Sequence, residues 1–245
     1  MLEVTGLAVD DAQQPLRDIN LAVAAGEIVG IAGIDGNGQK QLAEALAGQR
    51  TLTQGSIRLE GNPIEKLNIA RRRRLGLRYV TDDRLGEGTV ATFPVSVNLL
   101  LKQIGEPPFW RRGIEQPEAI ARHARQRIAE YDIRAPEFET PIGKLSGGNI
   151  QKALLARELD GPARVVIFAK PTHGLDVWNT RAVRERIRQS ARGGMAVIVI
   201  STDLEELLEL SHRIGVMSRG GIIGMVRNGP QARGRIGELM SGATL

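Results

Sequence analysis

The stretch EIVGIAGIDGNGQKQLAEALAG, residues 27–48, decides the fold. It begins with a short apolar run of β-type residues and passes through a glycine-rich loop at 33–38. It ends in apolar residues at helical spacing, with Gly48 as a stop signal. A strand, a glycine loop and a helix in this order form the context in which backbone N–H groups cradle phosphate. The stretch therefore predicts a phosphate-binding loop within an α/β fold.

This loop departs from the pattern that binds nucleotide phosphates, G-x-x-x-x-G-K-[ST]. Gly33 and Gly38 keep the glycine spacing, but Gln39 stands where the pattern has lysine. Lys40 occupies the Ser/Thr position, and Gln41 follows it. The loop alone leaves three interpretations open: a coincidental cluster of glycines, a working ATP site with shuffled residues, and a nucleotide fold that has lost its catalysis.

Composition excludes several classes of protein. A chain of 245 residues with 42% hydrophobic and 25% charged residues is long enough to bury a substantial core and is not typical of disorder. No apolar run approaches the ~20 residues that span a bilayer. Because the chain has no cysteine, it has no disulfide, thiolate metal site or cysteine nucleophile. Its three histidines are far apart in the sequence and lack the spacing of metal ligands.

The basic residues raise the question of a nucleic-acid partner. The net charge is +5, and the run Arg71–Arg74, with Arg78 close behind, concentrates part of the positive excess. Only 3% of the residues are aromatic, so few side chains are available to stack on bases. We therefore interpret the run as the solvated face of a helix or a contact with anionic lipid head groups, and we expect no nucleic-acid partner.

Strand-like and helix-like segments alternate along most of the chain, which favours an α/β fold with a parallel sheet. Residues 86–160 have little β character and predict a helical subdomain within a single domain over residues 1–245. This subdomain contains a charged amphipathic helix at 116–130 and the loop PPFWRRG at 107–113. The aromatic pair Phe109-Trp110 in that loop has two interpretations, an exposed contact with a partner or an anchor of the subdomain.

Segments in the second half of the chain identify the glycine loop by their order. The motif LSGGN is followed by the apolar run VVIFA, which ends at Ala169, and then by KPTHGLD. In order and spacing these segments resemble the phosphate loop, Q-loop, LSGGQ signature, Walker B strand, D-loop and switch region of the ATP-binding-cassette (ABC) ATPases. RYVTDDR, LSGGN, THGLDV and the ending IGELMSG resemble more closely the second cassette of bacterial sugar and nucleoside importers, which carry two cassettes in one polypeptide.

The resemblance covers nearly the whole chain and implies an ABC-type P-loop NTPase fold. This fold is α/β, with a mixed or parallel sheet core, an antiparallel β subdomain and a helical subdomain. The resemblance assigns nucleotide binding to the loop and the start of the next helix, at Gly33, Asp35, Gly36, Asn37, Gly38, Gln39, Lys40 and Gln41. Backbone N–H groups can still form an anion nest there, but the lysine that contacts the β- and γ-phosphates is absent.

The other positions that the resemblance assigns to catalysis are changed as well. The Q-loop glutamine position is Asp82, and the switch histidine position is Thr202. The Walker B strand ends in Ala169 and Lys170, where the family has an aspartate for Mg²⁺ and a glutamate that orients the attacking water. We therefore assign no catalytic or metal-binding residue, and we expect no Mg²⁺ and at best weak binding of ATP or ADP at this site. The family hydrolyses ATP, but we expect this chain alone to be inactive.

The signature motif is better preserved than the phosphate loop. In ABC dimers the signature of one cassette grips the γ-phosphate held by the phosphate loop of the other cassette. This motif is present here as Leu145, Ser146, Gly147, Gly148 and Asn149, and the aspartate of the D-loop is present as Asp176. The resemblance therefore implies that the chain supplies its signature in trans to the ATP site of a partner cassette.

The same resemblance implies partners and a location. We expect a second ABC cassette, fused N-terminally in the natural protein, with integral membrane permease subunits and, indirectly, a solute-binding protein. The chain would lie peripherally on the cytoplasmic face of the bacterial inner membrane. Two alternatives stay open: an active ATPase cassette with non-standard residues, and a soluble ABC protein that acts on nucleic acid or the ribosome. The transported solute is not encoded in these motifs.

Overall fold

The computed structural model of the chain describes residues 1–241, so Gly242, the last residue of the IGELMSG motif, lies outside the described residues. The strands are β1 Leu2–Val9, β2 Leu16–Val23, β3 Ile28–Ala32, β4 Gln54–Leu59, β5 Asn62–Pro63, β6 Leu77–Val80, β7 Trp110–Arg111, β8 Ile114–Glu115, β9 Val165–Ala169, β10 Ala196–Ile200, β11 Arg213–Ser218 and β12 Gly221–Arg227. The α-helices are α1 Gln39–Ala47, α2 Ile69–Arg74, α3 Val95–Leu100, α4 Pro117–Glu130, α5 Gly147–Glu158, α6 Val177–Arg192, α7 Leu204–Leu210 and α8 Ala232–Ser241. None of the helices described over residues 1–241 combines the length and the apolar character needed to cross a bilayer.

The chain divides into two compact units. The first contains Met1–Tyr79, Pro162–Pro171 and the chain from Arg184 onward. The second contains Val80–Gly161 and Thr172–Val183. The single cassette domain over residues 1–245, with a helical subdomain near 86–160, stays a prediction.

A six-stranded sheet in the order β12-β11-β3-β10-β9-β6 carries the predicted phosphate loop. Strands β3, β9 and β10 are buried along their whole length, as expected of parallel strands that are covered on both faces. In the parallel register, Ile200 of β10 pairs with Ile31 of β3 and with Ala169 of β9. The carboxyl ends of these three strands therefore lie at one edge of the sheet.

A second, antiparallel sheet in the order β2-β1-β4-β5 belongs to the same unit. In β1 and β2 the buried residues alternate with exposed or half-buried ones over most of each strand, which is the pattern of a sheet with one face on the core. The parallel core, this antiparallel sheet and the surrounding helices confirm the predicted α/β fold with a mixed sheet.

The arginine run at 71–74 differs from its prediction as a solvated face. Arg72 is 1% exposed, and its guanidinium donates to the backbone carbonyls of Ala45 (2.8 Å) and Leu46 (2.7 Å) at the end of α1. The same side chain donates to the carbonyls of Glu65 (2.9 Å) and Leu67 (3.0 Å). Burial lowers the pKa of Arg72 from its ordinary value. Arg72 therefore satisfies carbonyls that a helix end leaves without intrahelical partners.

Arg78 is also internal, although it was predicted to belong to the same exposed basic surface. It is 6% exposed and donates to the backbone carbonyls of Leu77 (3.3 Å), Pro162 (2.8 Å) and Arg73 (2.5 Å). The prediction was wrong for Arg72 and Arg78 because both side chains satisfy backbone carbonyls that would otherwise be buried without donors.

The second unit contains α3, α4 and α5, and it corrects one loop prediction. Residues 107–113 were predicted to form a loop, but Trp110–Arg111 pairs with Ile114–Glu115 in a short antiparallel hairpin. Phe109 is 3% exposed and packs with Leu100 and Ile120. Of the two interpretations of the aromatic pair, Phe109 is therefore an anchor of this unit.

Candidate functional site

The carboxyl edge of the parallel sheet collects three of the predicted site positions. Gly33 directly follows β3, Lys170 directly follows β9, and Thr202 lies two residues after β10. These positions are far apart in the sequence, and the parallel register brings them to one edge. Ligands of open α/β sheets bind at this edge, so the position fits a phosphate site.

Two glycines and one asparagine hold the shape of the phosphate loop, residues 33–38. Gly36 has a φ of 88° and Gly38 a φ of 104°, in the left-handed region that favours glycine. A Cβ on Gly38 would also collide with the side chain of Leu16. The Asn37 amide donates to the carbonyl of Ile34 (3.0 Å) and accepts from the backbone N–H of Arg219 (2.8 Å). The loop is therefore held by contacts within the first unit and needs no lysine for its shape.

Gln39, at the lysine position, folds back onto the loop. The residue is 5% exposed, and its Nε2 donates to the carbonyl of Ile34 at 2.9 Å. A Cβ on Gly33 would collide with the same amide, so the Gln39 side chain lies against the backbone at the start of the loop. A neutral amide in this place donates hydrogen bonds but supplies no positive charge to a phosphate.

The next two side chains of α1 bond to other parts of the first unit. The ammonium of Lys40 lies 3.7 Å from a carboxylate oxygen of Glu44, one turn further along the helix. The amide of Gln41 donates to Oδ1 of Asp11 at 3.2 Å. Hydrogen bonds to Asp11, led by the backbone N–H of Gln14, lower the pKa of its carboxyl to about 2. Lys40 is thus ion-paired along α1, and Gln41 is bonded to Asp11.

Lys170 makes a contact that the sequence did not indicate. Its Nζ lies 2.7 Å from Oδ1 and 3.0 Å from Oδ2 of Asp35, which is part of the phosphate loop. The position that the family resemblance assigns to a catalytic glutamate thus carries an ammonium ion-paired to the loop. The two residues are separated by 135 positions in the chain, and only the strand order brings them together.

The side chains at this edge do not fit Mg²⁺. The ion takes oxygen ligands in near-octahedral geometry. Lys40 stands where the family pattern has a hydroxyl, Ala169 where it has a carboxylate, and the Lys170 ammonium bonds to the one carboxylate of the loop, Asp35. A divalent cation at this place would meet an ammonium instead of oxygen ligands.

The remaining changed positions are divided between the two units. Thr202 belongs to the first unit and is exposed, directly before Asp203, whose carboxylate caps α7. Asp82 belongs to the second unit and is half-buried. It precedes a single π-helical turn at Arg84–Gly88, which Asp83 caps by accepting from the N–H of Gly86 (2.8 Å).

The signature, Leu145–Asn149, lies at the start of α5 in the second unit. Ser146 is the N-cap residue, and its Oγ accepts a hydrogen bond from Nδ2 of Asn149 at 3.0 Å. The Oδ1 of Asn149 accepts from the backbone N–H of Arg134 at 2.8 Å. Because the serine oxygen acts here as an acceptor, the hydroxyl proton of Ser146 remains available for donation to a ligand.

The D-loop residues Gly174–Asp176 are linked to this helix start. Asn179 donates to Asp176 through its backbone N–H (2.9 Å) and its Nδ2 (2.6 Å). The backbone N–H of Asn179 lowers the pKa of the Asp176 carboxyl. The same amide group of Asn179 fills the space that a Cβ on Gly148 would need. The structure thus brings the signature and the D-loop together, as neighbouring surfaces of one unit.

Arg84 is a residue beside the signature that sequence reasoning missed. Its Nε donates to Oε1 of Gln151 on α5 at 2.8 Å, and its guanidinium also donates to the carbonyl of His173. A Cβ on Gly147 would stand 3.5 Å from Nη1 of Arg84. Burial lowers the pKa of Arg84 from its ordinary value. The only signal in the sequence was its place in RYVTDDR.

The family model for "ABC transporter" matches residues 16–173 of the chain. The chain belongs to the ABC transporter family. The matched segment contains the phosphate loop, the signature and the residues around Ala169, so the predicted resemblance is confirmed. The chain is an ATP-binding cassette of this family.

Curated relatives of this cassette are import proteins. The chain is 39% identical to the guanosine import ATP-binding protein NupO of Bacillus subtilis, over 100% of this chain and 48% of the relative. It is 36% identical to the nucleoside import ATP-binding protein NupA of Lactococcus lactis, over 100% of this chain and 49% of the relative. It is 38% identical to the ribose import ATP-binding protein RbsA 1 of Rubrobacter xylanophilus, over 91% of this chain and 44% of the relative. The cassette thus spans about half the length of these relatives.

Solved structures support the fold of the cassette. A nucleotide-free ATP-binding cassette from an ABC transporter superposes with a TM-score of 0.81 at 18% identity, covering 96% of this chain and 94% of that one. A dimeric bacterial ABC transporter cassette superposes with a TM-score of 0.78 at 18% identity, covering 94% of this chain and 100% of that one. The predicted ABC-type fold is confirmed.

Proposed function

We propose that this chain is a non-hydrolytic cassette of a sugar or nucleoside importer, and that it supplies its signature to a nucleotide held by a partner cassette. The observation that carries the proposal is the contrast between two sites. At the phosphate loop and the end of β9, the lysine, hydroxyl and two carboxylates of the family are replaced by Gln39, Lys40 and Lys170, which bond within the protein, and by the apolar Ala169. At the signature, the serine hydroxyl and both glycines are present.

The chemistry of the phosphate loop supports the absence of hydrolysis. Hydrolysis needs charge neutralisation at the γ-phosphate and a group that orients water. Gln39 is neutral and bonded to Ile34, and Lys170 is ion-paired to Asp35. A protonated lysine is not a base, so the Lys170 position does not activate water.

The arrangement at the signature supports action in trans. The first N–H groups of a helix have no intrahelical partner, and the N-terminus of α5 therefore presents donors and a positive dipole end to an anion. Ser146 adds a hydroxyl donor at the same place, and Asn149 holds it there (3.0 Å). Gly147 and Gly148 allow a phosphate to approach the backbone closely. These groups suit a γ-phosphate that another cassette holds.

The relatives support the choice of transporter. Two relatives that match over the whole of this chain are guanosine and nucleoside import proteins, and a ribose import protein matches over 91% of it. By analogy we propose a nucleoside or sugar as the solute, a second cassette joined N-terminally, membrane permease subunits and a solute-binding protein as partners. The chain would then act at the cytoplasmic face of the membrane.

ATP turnover by the purified chain tests the first half of this proposal. With Mg²⁺ present, we expect phosphate release at the background rate, and the same rate for Lys40→Ala. Mg²⁺-dependent turnover that disappears in Lys40→Ala would overturn the proposal, since it would assign the missing loop lysine's role to Lys40.

A further inference from the structure

The phosphate loop of this cassette lacks two cations that a polyphosphate normally meets, a lysine and Mg²⁺. A nucleotide brings several negative charges, and an uncompensated charge is costly in a partly desolvated site. Gln39 replaces the loop lysine by a neutral amide, and Ala169 removes a carboxylate ligand for Mg²⁺. Any anion that binds here therefore needs another cation.

Lys170 lies where such a cation is needed, beside the phosphate loop. It follows β9 at the carboxyl edge of the sheet, and its Nζ contacts both carboxylate oxygens of Asp35, at 2.7 and 3.0 Å. Asp35 lies within the phosphate loop, between Gly33 and Gly36, so the ammonium stands beside the loop backbone. An ammonium is a compact charge with three donors, and lysine is a common ligand of phosphate in proteins.

The two partners of this ion pair differ in exposure. The Asp35 side chain is 71% exposed, whereas the Lys170 side chain is 23% exposed. An ion pair with so exposed a carboxylate shifts an equilibrium by about fivefold at most. A phosphate that approaches Lys170 would also lie beside the backbone N–H groups of the loop and the start of α1, which favour anions. The Asp35 carboxylate is therefore held weakly enough for a phosphate to compete with it at Lys170.

We propose that Lys170 is the cation of a metal-independent polyphosphate site in this cassette, and that Asp35 competes with the ligand for it. The inference rests on the proposed function, because it concerns the same non-hydrolytic site. The ligand class is a nucleoside triphosphate or another polyphosphate in its metal-free form. Mg²⁺ finds no suitable ligands here, and it lowers the negative charge of the polyphosphate, so it weakens binding.

Calorimetric titration of the full chain with ATP and with inorganic tripolyphosphate tests the proposal. Each ligand is titrated in EDTA and in excess Mg²⁺, and unchanged thermal unfolding shows that each variant is folded. In EDTA we expect Lys170→Met, which keeps the aliphatic stem, to weaken binding about tenfold. We expect Asp35→Asn to tighten it by up to about fivefold. Lys66→Met, a matched removal of an exposed lysine of the same unit outside the loop, should leave affinity within about twofold.

Comparison of the two ligands shows whether the site recognises a nucleotide or any polyphosphate. Equal affinity for ATP and tripolyphosphate indicates a general polyphosphate site, and tighter binding of ATP indicates a nucleotide site. In either case, weaker binding by Lys170→Met supports the role of Lys170. Binding that requires Mg²⁺, binding unaffected by Lys170→Met, or no binding by both the wild type and Asp35→Asn would overturn the inference. None of these results contradicts the proposed function. That function is contradicted only by ATP turnover by the chain itself, or by turnover of a partner cassette that does not depend on the signature.

Discussion

The side-chain amide of Asn179 packs against the α-carbon of Gly148 and donates a hydrogen bond to Asp176 at 2.6 Å. One side chain thus joins the second glycine of the signature to the D-loop aspartate. The identity of Gly148 has a steric reason in addition to any contact with nucleotide, because no Cβ fits beside Asn179.

Alanine substitutions at the two signature glycines should therefore have different effects. Gly148→Ala forces Asn179 to move, and overpacking of this kind costs about 1–3 kcal/mol of unfolding free energy. In Gly147→Ala the new methyl makes an ordinary contact with Arg84 (3.5 Å), so stability should change little. Urea denaturation measures both.

The matched control is Gly237→Ala in α8, where a Cβ would meet no atom within 4 Å. Replacing a helical glycine in open space should stabilise the protein by about 0.5–1 kcal/mol. Equal destabilisation by Gly147→Ala and Gly148→Ala would contradict the packing role of Asn179.

Arg72 should be the arginine of its run that matters most for stability. Arg72→Met removes a donor from four backbone carbonyls, of which Ala45 keeps the N–H of Gly48, so we expect a loss of about 3 kcal/mol or more in unfolding free energy. Arg74→Met, two residues away and exposed, should change it by less than about 0.5 kcal/mol. Chemical denaturation of the two variants checks this, and similar losses would show that Arg72 is not a structural cap.

These arginines show which parts of the fold a sequence can reveal. A short apolar run of β-type residues predicted β3, and helical spacing with Gly48 predicted the end of α1, because these patterns depend on near neighbours. The burial of the Arg72 side chain depends on the carbonyls of Ala45 and Leu46, which only the folded chain brings close to it. The hairpin at Trp110–Glu115 was missed because its two-residue strands are too short to show an alternation.

Asp160 should make stability depend on acid pH. The His123 side chain, together with Gln103 and Arg127, lowers the pKa of the Asp160 carboxyl to about 2. A depressed carboxyl pKa stabilises the fold above the unfolded value, about 3.9, and this stabilisation is lost as pH falls toward 2. Asp160→Asn should therefore lower the unfolding free energy by about 1 kcal/mol at pH 7, after allowance for screening at a partly exposed site.

The difference between the wild type and Asp160→Asn should shrink between pH 4 and about 2. Urea titrations at a series of pH values measure it. A difference that is constant over this range would mean that the charge of Asp160 does not contribute, and that Asp160→Asn acts through packing alone.

Restoring the family residues at the phosphate loop and after β9 should make ATP binding depend on Mg²⁺. Gln39→Lys alone replaces one charge but leaves no oxygen ligand for Mg²⁺, so the metal should still not tighten ATP binding. The quadruple variant Gln39→Lys, Lys40→Thr, Ala169→Asp and Lys170→Glu adds a hydroxyl and two carboxylates, and Mg²⁺ should then tighten ATP binding about tenfold or more. Titration with and without Mg²⁺ distinguishes the two variants, and Mg²⁺ dependence in Gln39→Lys alone would contradict the assignment.

The candidate site was predictable where the family motifs are local. The glycine loop, the changed residues Ala169 and Thr202, and the signature could all be read from short segments. The ion pair between Lys170 and Asp35 could not, because its partners follow different strands and meet through the order of the sheet. The same reason applies to the contact of Arg84 with the carbonyl of His173, which lies 89 residues away.

The central claim is that the signature of this chain serves a nucleotide held by another cassette. ATP turnover by the purified transporter complex tests it, with Ser146→Ala compared with Lys40→Ala in this chain. Among the described residues the Ser146 side chain makes no capping bond to α5, so its removal should leave the helix intact. We predict that Ser146→Ala lowers turnover about tenfold or more, whereas Lys40→Ala leaves it unchanged. Full turnover in Ser146→Ala, or its loss in Lys40→Ala, would contradict the account.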